Sequence, residues 1–275
     1  MTTLVARAPG KVNLSLFVGA PRADGLHPLV SVVQAVSLAD ELTLEATGDE
    51  DEVVCPGVEG PNLAGRALAL FREAAGWDGP PQRLHIAKRV PVAAGMGGGS
   101  GDAAAALRLA AHAAGGAPAG LLHELAVTLG ADVPSQLAPG RVLMSGAGER
   151  VDRLPDPKSF GLVIVPSEHA LSTPEVYSAF DRLTVARTPE ELDAATAAAL
   201  AGEPPPAVND LQEAARALCP AIDETLFDGA MVSGSGPTVF ATYATPEDAR
   251  AAAARIPGAI AAEPVTAEFG EVRVA

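Results

Sequence analysis

The sequence predicts an α+β protein, because segments with the two-residue period of strands are interspersed with segments of helical spacing. From residue 11 to residue 18 every second residue is apolar, which indicates a half-buried strand. Residues 63–75 carry apolar side chains at helical spacing and follow Asn62, a residue type that caps helices. The chain has 275 residues and no internal repeat, so we expect two domains, 1–153 and 154–275, divided at a proline-containing stretch.

The same criteria place the remaining elements along the chain. The 4% aromatic content predicts a core built from Ala, Val and Leu. Period-two segments and short apolar runs bounded by turn residues predict further strands at 29–36, 84–90, 161–165, 238–243 and 265–274. Helical spacing, caps and breaking glycines or prolines predict further helices at 102–114, 121–129, 173–183, 188–201, 209–218 and 245–255.

Charge and composition exclude several classes of protein. The formal net charge of −15 opposes binding of a phosphate backbone, so no nucleic-acid partner is expected. The sequence contains no run of 18 apolar residues, so no membrane span is predicted. Residues 1–7 lack the apolar region of a signal peptide. The two cysteines, Cys55 and Cys219, predict neither a disulfide framework nor a metal site. A cytoplasmic protein is therefore expected; its oligomeric state does not follow from the sequence.

A glycine-rich segment between a predicted strand and a predicted helix is the strongest local signal. Residues 91–102 read PVAAGMGGGSGD, with five glycines within seven residues. Glycines let a backbone approach a ligand, and the following helix N-terminus supplies N–H groups and a positive dipole end. The segment differs from the Walker A and Rossmann patterns. It predicts a cradle for a di- or triphosphate, with the Ser100 hydroxyl near a phosphate oxygen or Mg²⁺.

Three other features are ambiguous when each is considered alone. Lys11 shares a strand face with Asn13, which suits either a polar cleft or a solvated surface. Asp132, in the segment GADVP, suits either a helix cap or a group that orients an attacking hydroxyl. The turn SGSGP at residues 233–237 suits either a hairpin or a ligand loop, and His27 follows another tight turn.

Taken together, these segments resemble the GHMP kinases. Three segments match that family's motifs in order: APGKVNL at 8–14, the glycine-rich segment at 91–104, and VSGSGP at 232–237. The resemblance spans roughly residues 5 to 243. It implies a ribosomal-S5-like N-terminal domain, a ferredoxin-like C-terminal domain and an active site between them. The segments RADGLH at 22–27 and GADVP at 130–134 are similar to the branch that phosphorylates a cytidine-diphosphate-linked methylerythritol for isoprenoid synthesis.

The resemblance also implies roles for individual residues. Asp132 would be the catalytic base, and Lys11 would hold it ionised. ATP would be bound by Asn62 and Lys88 at the adenosine side and, around the triphosphate, by Pro91, Gly95, Met96, Gly97, Gly98, Gly99, Ser100 and Gly101, with Ser100 near Mg²⁺. The cytidine-diphosphate alcohol would contact Asn13, Leu26, His27, Asp132, Thr173, Tyr177, Gly234 and Ser235.

Two positions depart from the pattern of that branch: Leu26, and Ser135, which is polar where a larger apolar residue is common. Leu26 stands where a tyrosine is usual, and Tyr177 would supply the remaining ring for stacking on cytosine. Two alternatives therefore stay open. The first is a GHMP kinase for another small alcohol, such as homoserine or a sugar. The second is a catalytically silent protein of the same fold that only binds a ligand.

Overall fold

The computed structural model describes residues 2–48, 50–92 and 94–275. The strands of the first half of the chain, together with the last strand, form a seven-stranded sheet. Its strands are β1 (Leu4–Val18), β2 (Leu29–Ala46), β3 (Glu52–Val54), β4 (Gln82–Ala87), β5 (Arg141–Gly146), β6 (Arg150–Arg153) and β11 (Arg273–Val274). The order is β11-β1-β2-β4-β3, and β5 pairs with the first part of β2 and with β6. The long antiparallel pair of β1 and β2 therefore forms the centre of this sheet.

Small side chains allow the helices to pack closely on this sheet. The helices are α1 (Leu63–Ala75), α2 (Gly98–Ala113), α3 (Leu121–Leu129) and α4 (Val133–Gln136). Four consecutive alanines of α2, residues 103–106, are fully or almost fully buried beside Leu68 and Phe71 of α1. A Cβ on Gly101 would lie 3.0 Å from the Pro9 carbonyl oxygen, so α2 approaches the β1 backbone directly. An alanine-rich core brings the N-terminus of α2 close to β1.

The second half contains a four-stranded antiparallel sheet with helices on it. Its strands are β7 (Gly161–Val165), β8 (Met231–Val232), β9 (Val239–Tyr243) and β10 (Ile260–Ala262), in the order β10-β7-β9-β8. The helices are α5 (Thr173–Leu183), α6 (Pro189–Leu200), α7 (Gln212–Leu218), α8 (Ile222–Thr225) and α9 (Pro246–Ala253). Helices follow the first and third strands, which gives the order and connectivity of a ferredoxin-like domain. The α+β prediction is confirmed.

Hydrogen bonds and a shared core join the two halves. The Leu16 N–H donates to the Val208 carbonyl at 2.7 Å, and the Asp210 N–H donates to the Leu16 carbonyl at 3.0 Å. Val12 and Leu14 of β1 share a buried cluster with Ile164 and Phe240 of the second sheet. We keep the division at residue 154 as a proposal, with β11 as a late strand that returns to the first sheet.

Several predicted segments differ in extent from the structure: the strands expected at 11–18 and 29–36 are longer, since β1 begins at Leu4 and β2 ends at Ala46. The helix expected from residue 102 begins at Gly98, because the glycines form its first turn and Gly101 N–H donates to the Gly97 carbonyl at 2.8 Å. The strand expected at 265–274 is mostly a 3₁₀ turn, Ala267–Gly270, followed by the two paired residues of β11. Among the described residues, no helix combines the length and the apolar character needed to cross a bilayer.

Candidate active site

A cavity of about 690 Å³ lies where the two halves meet. It is bounded by β1, the N-terminus of α2, the turn that precedes β2, the segment before α4, and α5. Predicted site residues from both halves line it: Lys11, Asn13, Leu26, His27, Gly95, Gly97, Ser100, Asp132, Thr173, Tyr177, Gly234 and Ser235. The structure therefore brings together residues that are far apart in the sequence.

A chain of hydrogen bonds fixes the polar face of β1. Lys11 Nζ donates to Asn13 Oδ1 at 2.8 Å, and Asn13 Nδ2 donates to Ser31 Oγ at 2.8 Å. The Ser31 hydroxyl then donates to the Ser15 carbonyl at 2.7 Å. Lys11 is only 4% exposed, so its ammonium is held inside the cavity wall and is not a solvated surface charge. The cleft interpretation of this strand face is correct.

Asp132 directs its carboxylate at Lys11. Lys11 Nζ lies 3.4 Å from Asp132 Oδ2, and one third of the Asp132 side chain remains exposed in the cavity. Although Asp132 immediately precedes α4, its side chain makes no capping hydrogen bond to that helix. The carboxylate is therefore available to a ligand, and the helix-cap interpretation does not describe its contacts.

Glycines are required by close contacts where the glycine-rich segment enters α2. Gly97 precedes the helix with φ 66°, and a Cβ there would lie 3.1 Å from two carbons of the Lys11 side chain. A Cβ on Gly95 would lie 2.5 Å from the Gly236 carbonyl oxygen. The first-turn N–H groups of α2 have no partners within the helix, and Ser100 lies in that turn beside the cavity. This arrangement suits a bound phosphate.

The other residues predicted to bind ATP do not line the cavity. Met96 is buried in the core, while its carbonyl accepts from the Lys11 N–H at 2.9 Å. Asn62 caps α1 by accepting from the Ala64 N–H at 2.9 Å. The remaining predicted residues lie in or beside the glycine-rich segment and do not line the cavity either: Lys88, Pro91, Gly98, Gly99 and Gly101. Their roles in nucleotide binding stay predictions.

A buried ionic cluster behind α2 was not predicted from the sequence. Lys88 Nζ lies 2.5 Å from Asp40 Oδ2 and 2.8 Å from Asp102 Oδ2. Burial raises the pKa of Asp102 to about 7, although the positive charge of Lys88 opposes this shift. The available signal was Asp40 itself, a charged residue at a position of β2 whose neighbours at two-residue spacing, Leu38 and Leu42, are apolar.

Residues of α5 and the preceding turn form the opposite wall. The rings of His27 and Tyr177 have centroids 4.9 Å apart, and His27 Nε2 donates to Asp181 Oδ1 at 2.8 Å. Burial raises the pKa of Tyr177 to about 12, and the negative charge of Asp132 adds to the shift. Leu26 is 53% exposed at the cavity edge. Asp181 was missed in the sequence, where only its spacing of four from Tyr177 could have indicated it.

A hydrogen bond joins α5 to the second glycine turn. The hydroxyls of Thr173 and Ser235 lie 3.0 Å apart. A Cβ on Gly234 would lie 3.0 Å from Asn13 Oδ1 and 3.3 Å from Lys11 Nζ. The turn therefore packs against the lysine and asparagine of β1, and its role as a ligand loop stays a prediction.

Comparison with protein families identifies the class of this fold and site. The family model described as GHMP kinases N terminal domain matches residues 62–140, and the one described as GHMP kinases C terminal matches residues 189–261. A homoserine kinase from Cytophaga hutchinsonii has the same fold, with a TM-score of 0.71, 16% identity and coverage of 99% of this chain and 97% of its own. The chain belongs to the GHMP kinase family.

Relatives with higher identity narrow the assignment. A 4-diphosphocytidyl-2-C-methyl-D-erythritol kinase of Nocardioides sp. is 41% identical over 92% of this chain and 93% of its own length. The kinase of the same name from Streptomyces avermitilis is 42% identical over 86% of both chains. A crystal structure of 4-(cytidine 5'-diphospho)-2C-methyl-D-erythritol kinase has a TM-score of 0.75 and 36% identity, covering 94% of this chain and 98% of that one. Within the GHMP kinases, this chain belongs with these enzymes.

Proposed function

We propose that this protein transfers the γ-phosphoryl group of ATP to the 2-hydroxyl of 4-diphosphocytidyl-2-C-methyl-D-erythritol, a step of the non-mevalonate isoprenoid pathway. The observation that carries the proposal is the Lys11–Asp132 pair, 3.4 Å apart in a cavity that has a phosphate cradle on one side and α5 on the other. A cytoplasmic location fits a biosynthetic kinase of this kind.

The pair can perform the chemistry of the transfer. Asp132 accepts the hydroxyl proton while the alcohol oxygen forms a bond to the γ-phosphorus, and ADP leaves with the electron pair of the broken bond. Lys11 offsets the negative charge that develops at the reacting oxygens. Positioning and charge stabilisation supply most of the rate in phosphoryl transfer, so a lysine held by Asn13 and Ser31 beside Asp132 suits the reaction.

ATP and Mg²⁺ fit the same end of the cavity. The N-terminus of α2 provides N–H groups for phosphate oxygens, and the Ser100 hydroxyl lies in the same turn. Within the described residues no group of three or more His, Cys, Asp or Glu side chains could hold a metal ion. This fits Mg²⁺, which is usually bound by substrate phosphates and few protein ligands and would neutralise phosphate charge. Ser100 is the residue that would face it.

The opposite wall fits the nucleobase. Tyr177 offers a ring, His27 lies beside it, and Leu26 provides an apolar edge in place of a second ring. Thr173, Gly234 and Ser235 lie between this wall and the reacting pair, where the diphosphate and the methylerythritol would extend. The proposed substrate therefore spans the cavity from Tyr177 to Asp132.

A coupled ADP-release assay tests the proposal. The purified protein is given Mg-ATP with the full cytidine-diphosphate substrate, with the methylerythritol compound that lacks the cytidine diphosphate, or with homoserine, and Asp132→Asn serves as the inactive control. We expect turnover only with the full substrate. Turnover of homoserine alone would instead support the alternative kinase, for which the exposed Leu26 is the specific observation. ATP binding without any turnover would support the catalytically silent alternative.

A further inference from the structure

The glycine-rich segment is held at both ends by one ammonium group. At its start, the N–H groups of Arg89 and Val90 donate to Asp40 Oδ1 at 2.5 and 2.8 Å, and Asp40 Oδ2 receives Lys88 Nζ at 2.5 Å. At its end, Asp102 in α2 receives the same Nζ at 2.8 Å. Residues on both sides of the segment are therefore anchored to the same ammonium group.

The ammonium also lies directly beneath the first residue of α2. A Cβ on Gly98 would lie 3.3 Å from Lys88 Nζ and 3.0 Å from Val90 Cγ1. Because Lys88 is hydrogen-bonded to Asp102 of α2, a movement of Lys88 would shift the start of the helix, whose first-turn N–H groups would face a phosphate. Asp40 is fully buried and Asp102 is 4% exposed, so these contacts are shielded from solvent and depend little on salt.

Among the described residues, Lys88 is the one cationic side chain that hydrogen-bonds to Asp40 or Asp102, so it alone balances their charge. Asp102 Oδ1 is buried and has no hydrogen-bond partner in the part of the chain that the structure describes. Without the ammonium, the buried Asp40 carboxylate would lose its cationic partner behind the proposed phosphate site and would repel ATP. Lys88 thus both fixes the turn and removes an electrostatic penalty on the nucleotide.

We propose that Asp40, Lys88 and Asp102 form an ionic clamp that sets the geometry of the triphosphate site. Asp40 and Asp102 are positioning residues that act through Lys88 and α2, without contacting the alcohol. The inference rests on the proposed function in one respect, which is that ATP binds at the α2 N-terminus. It predicts an effect on ATP that is separate from any effect on the alcohol.

The test compares carboxyl-to-amide variants inside and outside the clamp. Asp102→Asn should raise the KM of ATP and the Kd of ATP about tenfold, the scale of one charge-assisted hydrogen bond. The KM of the alcohol should stay within about twofold. Glu52→Gln, which breaks the exposed ion pair with Arg83, is the matched control and should leave both constants unchanged. Thermal unfolding of each variant shows whether it is folded.

Substitutions of Lys88 keep the proposal testable if Asp102→Asn does not fold. Lys88→Met should weaken ATP binding by more than Lys88→Arg, because arginine keeps the charge. The Kd of ATP in the double variant Lys88→Met/Asp102→Asn should be no higher than the higher of the two single-variant values, because the two residues act on one contact.

Three results would overturn the clamp. The first is an unchanged ATP constant in all folded variants. The second is a parallel rise in the constants of both substrates, which would indicate general loosening of the fold. The third is a wild-type protein that binds no ATP by calorimetry, which would reject the proposed function first and the clamp with it.

Discussion

Lys11 Nζ and Asp132 Oδ2 lie 3.4 Å apart although they belong to β1 and to the segment before α4. A guanidinium from α2 links β1 to α4, the helix that Asp132 precedes: Arg108 donates to the Gln136 carbonyl at 2.5 Å and to the Arg7 carbonyl at 2.9 Å. The spacing of the proposed catalytic pair therefore depends on the helix whose N-terminus forms the proposed phosphate site.

Asp132→Asn should lower kcat by at least about 100-fold, because the amide cannot accept the proton of the alcohol. The Kd of ATP should change little, since in the proposed function the carboxylate faces the reacting hydroxyl and not the adenosine. Calorimetric titration with ATP beside the ADP-release assay separates the two effects. Loss of ATP binding together with activity would show that Asp132 acts mainly on the structure.

Leu26→Tyr should lower the KM of the cytidine substrate, because a ring at this exposed edge of the cavity can stack on the base opposite Tyr177. Stacking on one aromatic ring is worth about 1–3 kcal/mol, so the decrease should be roughly 5- to 100-fold. Leu26→Ala tests the apolar contact alone, and the KM of ATP is the internal control. A higher KM in the tyrosine variant would mean that the pocket is shaped for a different group.

Gly97→Ala should reduce kcat by about tenfold, because its φ of 66° costs a non-glycine residue roughly 1–2 kcal/mol. In addition, the new Cβ would lie 3.1 Å from Lys11 carbons and 3.7 Å from Asp132 Oδ2, so the pair would be displaced. Gly48→Ala is the control, since a Cβ there meets nothing within 4 Å. Equal activity of the two variants would contradict the close packing at Gly97.

Asp181→Asn should raise the KM of the cytidine substrate about tenfold, as expected for a weakened hydrogen bond to a charged group. Its carboxylate orients His27, which lines the cavity beside Tyr177. The KM of ATP should not change, and Glu213→Gln at an exposed position of α7 serves as the control. A change in ATP KM of the same size would assign Asp181 a general structural role.

The stability of the protein should fall as pH rises towards neutrality because of Asp102. Its folded-state pKa is about 7, above the ordinary 3.8, so the folded protein binds more protons than the unfolded chain between these values. The free energy of unfolding contributed by this group is therefore full below pH 3.8 and lost above about pH 7. Urea unfolding at several pH values should show a smaller decrease for Asp102→Asn. Identical pH dependence would refute the raised pKa.

Local sequence signals predicted the parts of the site that a short segment can specify. The strand face of Lys11 and Asn13 follows from period two, and the Asn62 cap follows from one residue and the helix behind it. The first turn of α2 was mistaken for loop because glycines are poor helix formers, and tertiary packing overrode that propensity.

Long-range pairs could not be derived in the same way. His27 and Asp181 are separated by 154 positions, and Lys88 joins carboxylates 48 positions before it and 14 after it. Their contacts depend on how β2, β4 and α5 are placed in space, which periodicity does not encode. The strands β5 and β6 were missed because neither forms a clear alternating run, and they are defined by their pairing with β2 and with each other.

The contact between the two glycine turns has a consequence for how the two substrates affect each other's binding. Gly95 packs so closely on Gly236 that no side chain fits, and the Thr238 N–H donates to the Ala94 carbonyl at 3.3 Å. A nucleotide that orders the turn at Gly95 should therefore also order the turn at residues 233–237, which lines the proposed alcohol site. Binding synergy should follow: each substrate should bind more tightly to the complex with the other, by the same factor in both directions.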